Sequence, residues 1–126
     1  MQLLLFAAVG GAIGASVRHL VNVGVGRWLG GTFPWSTLIV NIVGCALMGA
    51  LFVYFVARWP EHHTARTFLA TGILGGFTTF SAFALDFWVL FERQAHVAAA
   101  LYLAGSVVAS LVAFVGGLAL ARAVLG

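Results

Sequence analysis

The sequence predicts an all-α membrane protein of four transmembrane helices forming one domain over residues 1–126, and three observations carry the prediction. Hydrophobic residues make up 63% of the chain and charged residues 7%, whereas a soluble domain carries about a quarter charged residues to cover its surface. The six arginines and three acidic residues leave charge-free stretches at 1–17, 28–57, 67–85 and 94–121. Each supplies most or all of the about 20 apolar residues needed to cross a hydrocarbon core of roughly 30 Å. Little chain then remains for a soluble domain. The spans are expected at 3–25, 35–57, 67–91 and 95–124.

Helix one has no basic residue before its apolar run and no exported domain after it, so a spanning helix is preferred to a signal peptide. It carries Gly10-Gly11-Ala12-Ile13-Gly14-Ala15-Ser16, a small-residue face that lets another helix approach closely. Arg18 follows, and an arginine inside a span must snorkel, pair or face a wet cavity.

Helix two carries Thr37 and Asn41 four residues apart, hence on one face. The amide of Asn41 both donates and accepts, so it can bond a neighbouring helix or touch a permeating ion. Cys45, the only cysteine, lies in the same helix. It excludes an intrachain disulfide and is expected to pack.

Helix three reads Thr71-Gly72-Ile73-Leu74-Gly75-Gly76-Phe77-Thr78-Thr79-Phe80-Ser81-Ala82-Phe83. A Gly-Gly pair followed by two threonines weakens a helix, since glycine costs about 1 kcal/mol relative to alanine and β-branched residues crowd the preceding turn. A break is expected there. Carbonyls freed at membrane depth need partners, and a bound cation satisfies several at once. Phe80 and Phe83, three apart, share a face, with Phe77 expected on the same side; aromatic packing is the plain alternative to a functional pair. Helix four sets Tyr102, Ser106 and Ser110 at steps of four, a hydroxyl line fit for a small polar solute. Each serine can also satisfy itself on the carbonyl four residues back.

With four spans, Arg58, Arg66 and Arg122 fall on one side, and Arg27 and Arg93, with Arg18 if it belongs to the nearer end, on the other. Orientation follows the Lys/Arg excess in short loops, so this near tie supplies little bias and both orientations can insert. An antiparallel homodimer and a parallel oligomer of fixed orientation both remain open. The arginines form no cluster able to follow a phosphate backbone, which argues against nucleic acid. No Ser-His-Asp, Cys-His or metal-ligand grouping suggests an enzyme, and His62 and His63 read as a solvated loop.

The stretches Gly10 to Arg18, Thr37 to Gly44 and Gly75 to Phe83 together resemble the Fluc (CrcB) family of small bacterial fluoride channels, over nearly the whole chain. The resemblance implies a multi-pass protein of the bacterial inner membrane, in contact with lipid, that exports fluoride passively through two pores of an antiparallel, dual-topology homodimer. It implies that Phe80 and Phe83 form an aromatic box, that Asn41 and Ser81 add polar contacts, and that Tyr102, Ser106 and Ser110 continue a hydroxyl track. It further implies a structural, untransported Na+ at the dimer axis, held by main-chain oxygens of Gly75 and Thr78, with Arg18 as a vestibule or structural charge. Ala82, Ala84 and Asp86 stand where the family commonly has hydroxyl residues and a glutamate. The alternative is a small dual-topology multidrug/proton antiporter, but that chemistry needs a membrane-embedded carboxylate and helix one has none.

Overall fold

The computed structural model describes residues 1–126 and is helical throughout, without strands. Helix α1 spans Gln2–Leu29 and α2 spans Trp35–Arg58. A third span, His63–Glu92, is assembled from pieces, and the last helix of the chain spans His96–Leu125. These four spans of 24 to 30 residues are long and apolar enough to cross a membrane. Each exceeds the minimum for the hydrocarbon core, so its ends reach the interface. Arg27, Arg58 and Arg122 lie in last turns, where a cation complements the negative helix end. The expected spans all form, and α1 runs four residues beyond its expected end.

The connections are short because the turn residues are well placed. Helix α1 stops at Gly30 and Gly31, whose positive φ angles of 52° and 77° suit residues without a Cβ. Pro34 then occupies the N-cap of α2.

The third span begins as α3, His63–Arg66, continues as a π-helical stretch, Thr67–Leu74, and closes its first half with α4, Gly75–Phe77. Thr78 and Thr79 are extended, with φ/ψ of −80°/156° and −153°/122°, and α5 resumes over Phe80–Glu92. The break therefore falls on the threonines. Gly75 and Gly76 stay helical, because Gly76 has a packing task. A Cβ built on it would lie 2.5 Å from the Gly11 carbonyl oxygen and 3.0 Å from the Gly11 Cα. The small-residue face of α1 thus meets the small residues of the third span, backbone against backbone. Helix α6, His96–Leu125, lies along α2.

Between α5 and α6, Phe83, Leu90, Ala99 and Tyr102 form the buried cluster, flanked by Phe33, Leu38 and Phe87. Only 16 of the 126 residues are buried, so most of the apolar surface faces outward. In water such a surface would aggregate; in a bilayer it meets its own solvent.

Candidate functional site

The site is built around the break. Two extended residues strip a helix of its i to i−4 bonds, and the freed groups are redistributed in a defined way. The Thr79 N–H, which a continuous helix would donate to Gly75, donates instead to Asn41 Oδ1 at 2.8 Å. Asn41 Nδ2 donates back to the Thr79 carbonyl at 2.9 Å. One side-chain amide from α2 thereby takes the place of a neighbouring strand. The Ala82 N–H, which would have served Thr78, takes Thr79 Oγ1 at 3.1 Å as an N-cap.

The carbonyls of Gly75 and Thr78 have therefore lost their regular helical donors. Arg18 reaches across from α1 and its Nη1 donates to the Thr78 carbonyl at 3.3 Å. A carbonyl has two lone pairs, so one remains on Thr78. The hydroxyl of Thr78 turns back on its own helix, donating its hydrogen to the Leu74 carbonyl at 2.9 Å. Gly75 is exposed.

Beside the break lies a cavity of about 300 Å³ lined by Asn41, Cys45, Thr78, Thr79, Phe80, Phe83, Ser106 and Ser110, with Val107 and Leu111. Phe80 and Phe83 stand with ring centroids 5.4 Å apart at 56°. Their burial differs sharply: Phe83 is 6% exposed and Phe80 79%. The first is part of the core and the second projects from the protomer. Ser106 is buried, yet its Oγ has no hydrogen-bond partner. A buried hydroxyl without a partner forfeits about 1–3 kcal/mol, and this oxygen lies behind the cavity wall with almost no accessible surface of its own.

Six of the residues singled out from sequence come together here. Asn41, Phe80, Phe83, Ser106 and Ser110 line the cavity with Thr78, while Arg18 stands behind the break. Gly75 sits in the turn that precedes the break. Three others take different places. Phe77 is buried and does not line the cavity, because the extended threonines reset the helical period between it and Phe80. Ser81 is exposed, its Oγ 3.4 Å from Thr79 Oγ1. Tyr102 lies outside the cavity: its ring packs 5.3 Å from Phe83 and 5.6 Å from Phe33, and its hydroxyl donates to Asp86 Oδ2 at 3.0 Å.

Sequence reasoning missed the Asp86 and Tyr102 pair, since nothing within either helix's period signals a bond between helices. It also gave Cys45 to packing, whereas Cys45 is half-buried and lines the cavity. Its spacing of four from Asn41 on α2 was the available signal.

Comparison with known proteins adds to this geometry. Residues 5–118 match the family described as CrcB-like protein, Camphor Resistance (CrcB). The chain is similar to a protein of Mesorhizobium japonicum named fluoride-specific ion channel FluC, 50% identical over 119 residues that cover 94% of this chain and 95% of the relative. A protein of the same name from Chelativorans sp. is 48% identical over 125 residues, covering 99% and 100%. Another, from Nitrobacter winogradskyi, is 46% identical over 121 residues, covering 96% of each.

Proposed function

The chain belongs to the CrcB family, and from that premise we propose how it works: as a fluoride channel that lets F− leave a bacterial cell passively across the inner membrane. It is a multi-pass membrane protein and not an enzyme. The observation that carries the mechanism is the cavity at the break, lined by Asn41, Phe80, Phe83, Ser106 and Ser110.

Fluoride is small and holds its water strongly, so a pore must offer substitute donors at contact distance. Ser106 and Ser110 supply hydroxyl hydrogens. Asn41 spends one amide hydrogen on Thr79 and keeps the second for the cavity. The rings of Phe80 and Phe83 can turn positive edges toward an anion, because the quadrupole is negative only on the face. Tyr102 acts through its ring, which backs Phe83, and the exposed Ser81 adds a hydroxyl from the protomer surface.

We take the working unit to be an antiparallel homodimer with two pores. The exposed Phe80 supports this, since half of the aromatic pair lacks cover within one protomer. The near tie of loop arginines supports insertion in both orientations. A structural Na+ at the dimer axis fits the main-chain oxygens of Gly75 and Thr78, both deprived of helical donors; carbonyl oxygens suit a hard cation. When bound, the ion would hold these carbonyls and place positive charge between two anion paths. Lipid would cover the remaining apolar faces.

The antiporter alternative is set aside. No carboxylate lies in α1, and Asp86 of α5 already accepts a bond from Tyr102.

Purified protein reconstituted in liposomes tests the channel directly, with fluoride and chloride efflux followed by ion-selective electrodes. Fluoride is expected to leave fast without a proton gradient while chloride is retained. Equal chloride efflux, or strict dependence on a proton gradient, would overturn the mechanism.

A further inference from the structure

We infer that Asn41 is a positioning residue that keeps the third span broken, and so serves fluoride through the Thr79 backbone as well as at the cavity wall. The inference rests on the channel mechanism above for its link to flux. At membrane depth a backbone satisfies itself most simply by staying helical, so two extended residues need partners from outside their span. Thr79 has one. The Asn41 amide accepts from its N–H at 2.8 Å and donates to its carbonyl at 2.9 Å, across 38 residues of chain. These bonds engage both main-chain polar groups of Thr79. An amide suits the task because it carries a donor and an acceptor side by side, and Asn41 is half-buried on α2, where it is held in place.

Without these two bonds the span can rejoin. The Thr79 N–H then returns to the Gly75 carbonyl, and the Ala82 N–H, now 3.1 Å from Thr79 Oγ1, returns to the Thr78 carbonyl. Both oxygens proposed for the cation are then covered by the span's own donors. Two residues pass from a rise of about 3.3 Å each to about 1.5 Å, which shortens the span by about 3–4 Å. Helix α5 begins at Phe80, so Phe80 and Phe83 move with it along the cavity wall. A shift of that size takes a contact group out of reach of an ion. One restraint competes with Asn41: the packing of Phe83 and Leu90 against Ala99 and Tyr102 also ties α5 to α6. The span length of an Asn41 variant separates the two.

Thr64→Cys and Glu92→Cys, in a Cys45→Ala background, place spin labels at exposed positions near the two ends of the span. Double electron–electron resonance in liposomes reads the distance between them, and singly labelled proteins supply the distances between protomers for subtraction. Asn41→Leu keeps the volume and removes both bonds. Asn41→Asp keeps an acceptor for the Thr79 N–H in either protonation state. The expected result is a span shorter by about 3–4 Å in Asn41→Leu, with fluoride efflux lost, and a parental length in Asn41→Asp whatever its flux. A parental length in Asn41→Leu would overturn the inference, leave Asn41 as an ion contact only and give the restraint to α6. An Asn41→Asp span as short as that of Asn41→Leu would overturn it too, as would a shortened span with parental flux. Hydrogen exchange of the parent decides the matter even where no variant folds. The Thr79 amide, at a residue lining the cavity, should exchange as slowly as that of Thr78, which bonds the Leu74 carbonyl; fast exchange would show that Asn41 does not hold it. A parent protein that passes no fluoride overturns the channel mechanism, while the distances still decide on the clamp.

Discussion

The aromatic pair shows what a single residue can report. Phe80 and Phe83 are alike in sequence and differ more than tenfold in exposure, 79% against 6%, so their substitutions separate packing from ion contact. Phe83→Ile removes a ring that packs against Tyr102 and should cost the protomer about 1 kcal/mol. Phe80→Ile removes little packing within the protomer and should leave its stability nearly unchanged. If both rings turn edges toward fluoride, both variants lose flux by orders of magnitude while still purifying folded. Liposome flux read beside thermal unfolding decides it: a folded Phe80→Ile variant with full fluoride flux would return that ring to a packing role. The pair was legible because a spacing of three survives within one regular helix. Tyr102 was legible only as a member of a line. Its partner Asp86 belongs to another helix, and a periodicity argument compares a residue only with its own helix.

At the scale of an element, the third span divides its labour between neighbouring residues of similar appearance. Composition marked the region Gly75 to Thr79 as weak, and it is; composition alone could not say which pair would yield. Gly75 and Gly76 remain helical while Thr78 and Thr79 extend, because the choice is made by the neighbours. Asn41 rewards an extended Thr79 with two hydrogen bonds, and α1 presses against Gly76. The two glycines should therefore respond differently. A Cβ on Gly75 would meet Ala70 O at 3.5 Å, ordinary contact, whereas one on Gly76 would force α1 away from Gly11. Gly76→Ala is expected to destabilise the protomer by about 1–3 kcal/mol and Gly75→Ala to leave it nearly unchanged. Denaturation of both variants in detergent checks the order, and equal losses would show that α1 yields more easily than the backbone contact implies. Neither the contact nor the Asn41 bonds, which join residues 38 apart, could be seen from helix three alone.

For the whole molecule, the protomer has a broken helix with two underused carbonyls, an exposed phenylalanine at the mouth of a cavity, and arginines nearly balanced between its two ends. The number of spans was written in the charge spacing. Pairing was not, because an interface between copies leaves no period in one sequence. In the proposed dual topology, a cysteine placed in the Pro60 loop of a Cys45→Ala background should be labelled from both sides of the membrane in intact cells; labelling from one side only would fix a single orientation. The cation site makes the stricter demand. If Na+ satisfies the Gly75 and Thr78 carbonyls of both copies, removing it leaves buried polar groups uncompensated, at about 1–3 kcal/mol for each, and the loss falls on the dimer more than on the protomer. Purification with N-methyl-D-glucamine in place of sodium should then weaken dimer cross-linking and fluoride flux together, and added Na+ should restore both. Thr78→Ser should behave like the parent in that titration, since the proposed ligand is a main-chain oxygen and serine keeps the hydroxyl that donates to Leu74. Dimer and flux that persist unchanged without sodium would leave Arg18 as the partner holding the Thr78 carbonyl, and the positive charge beside the path would then belong to the protein itself.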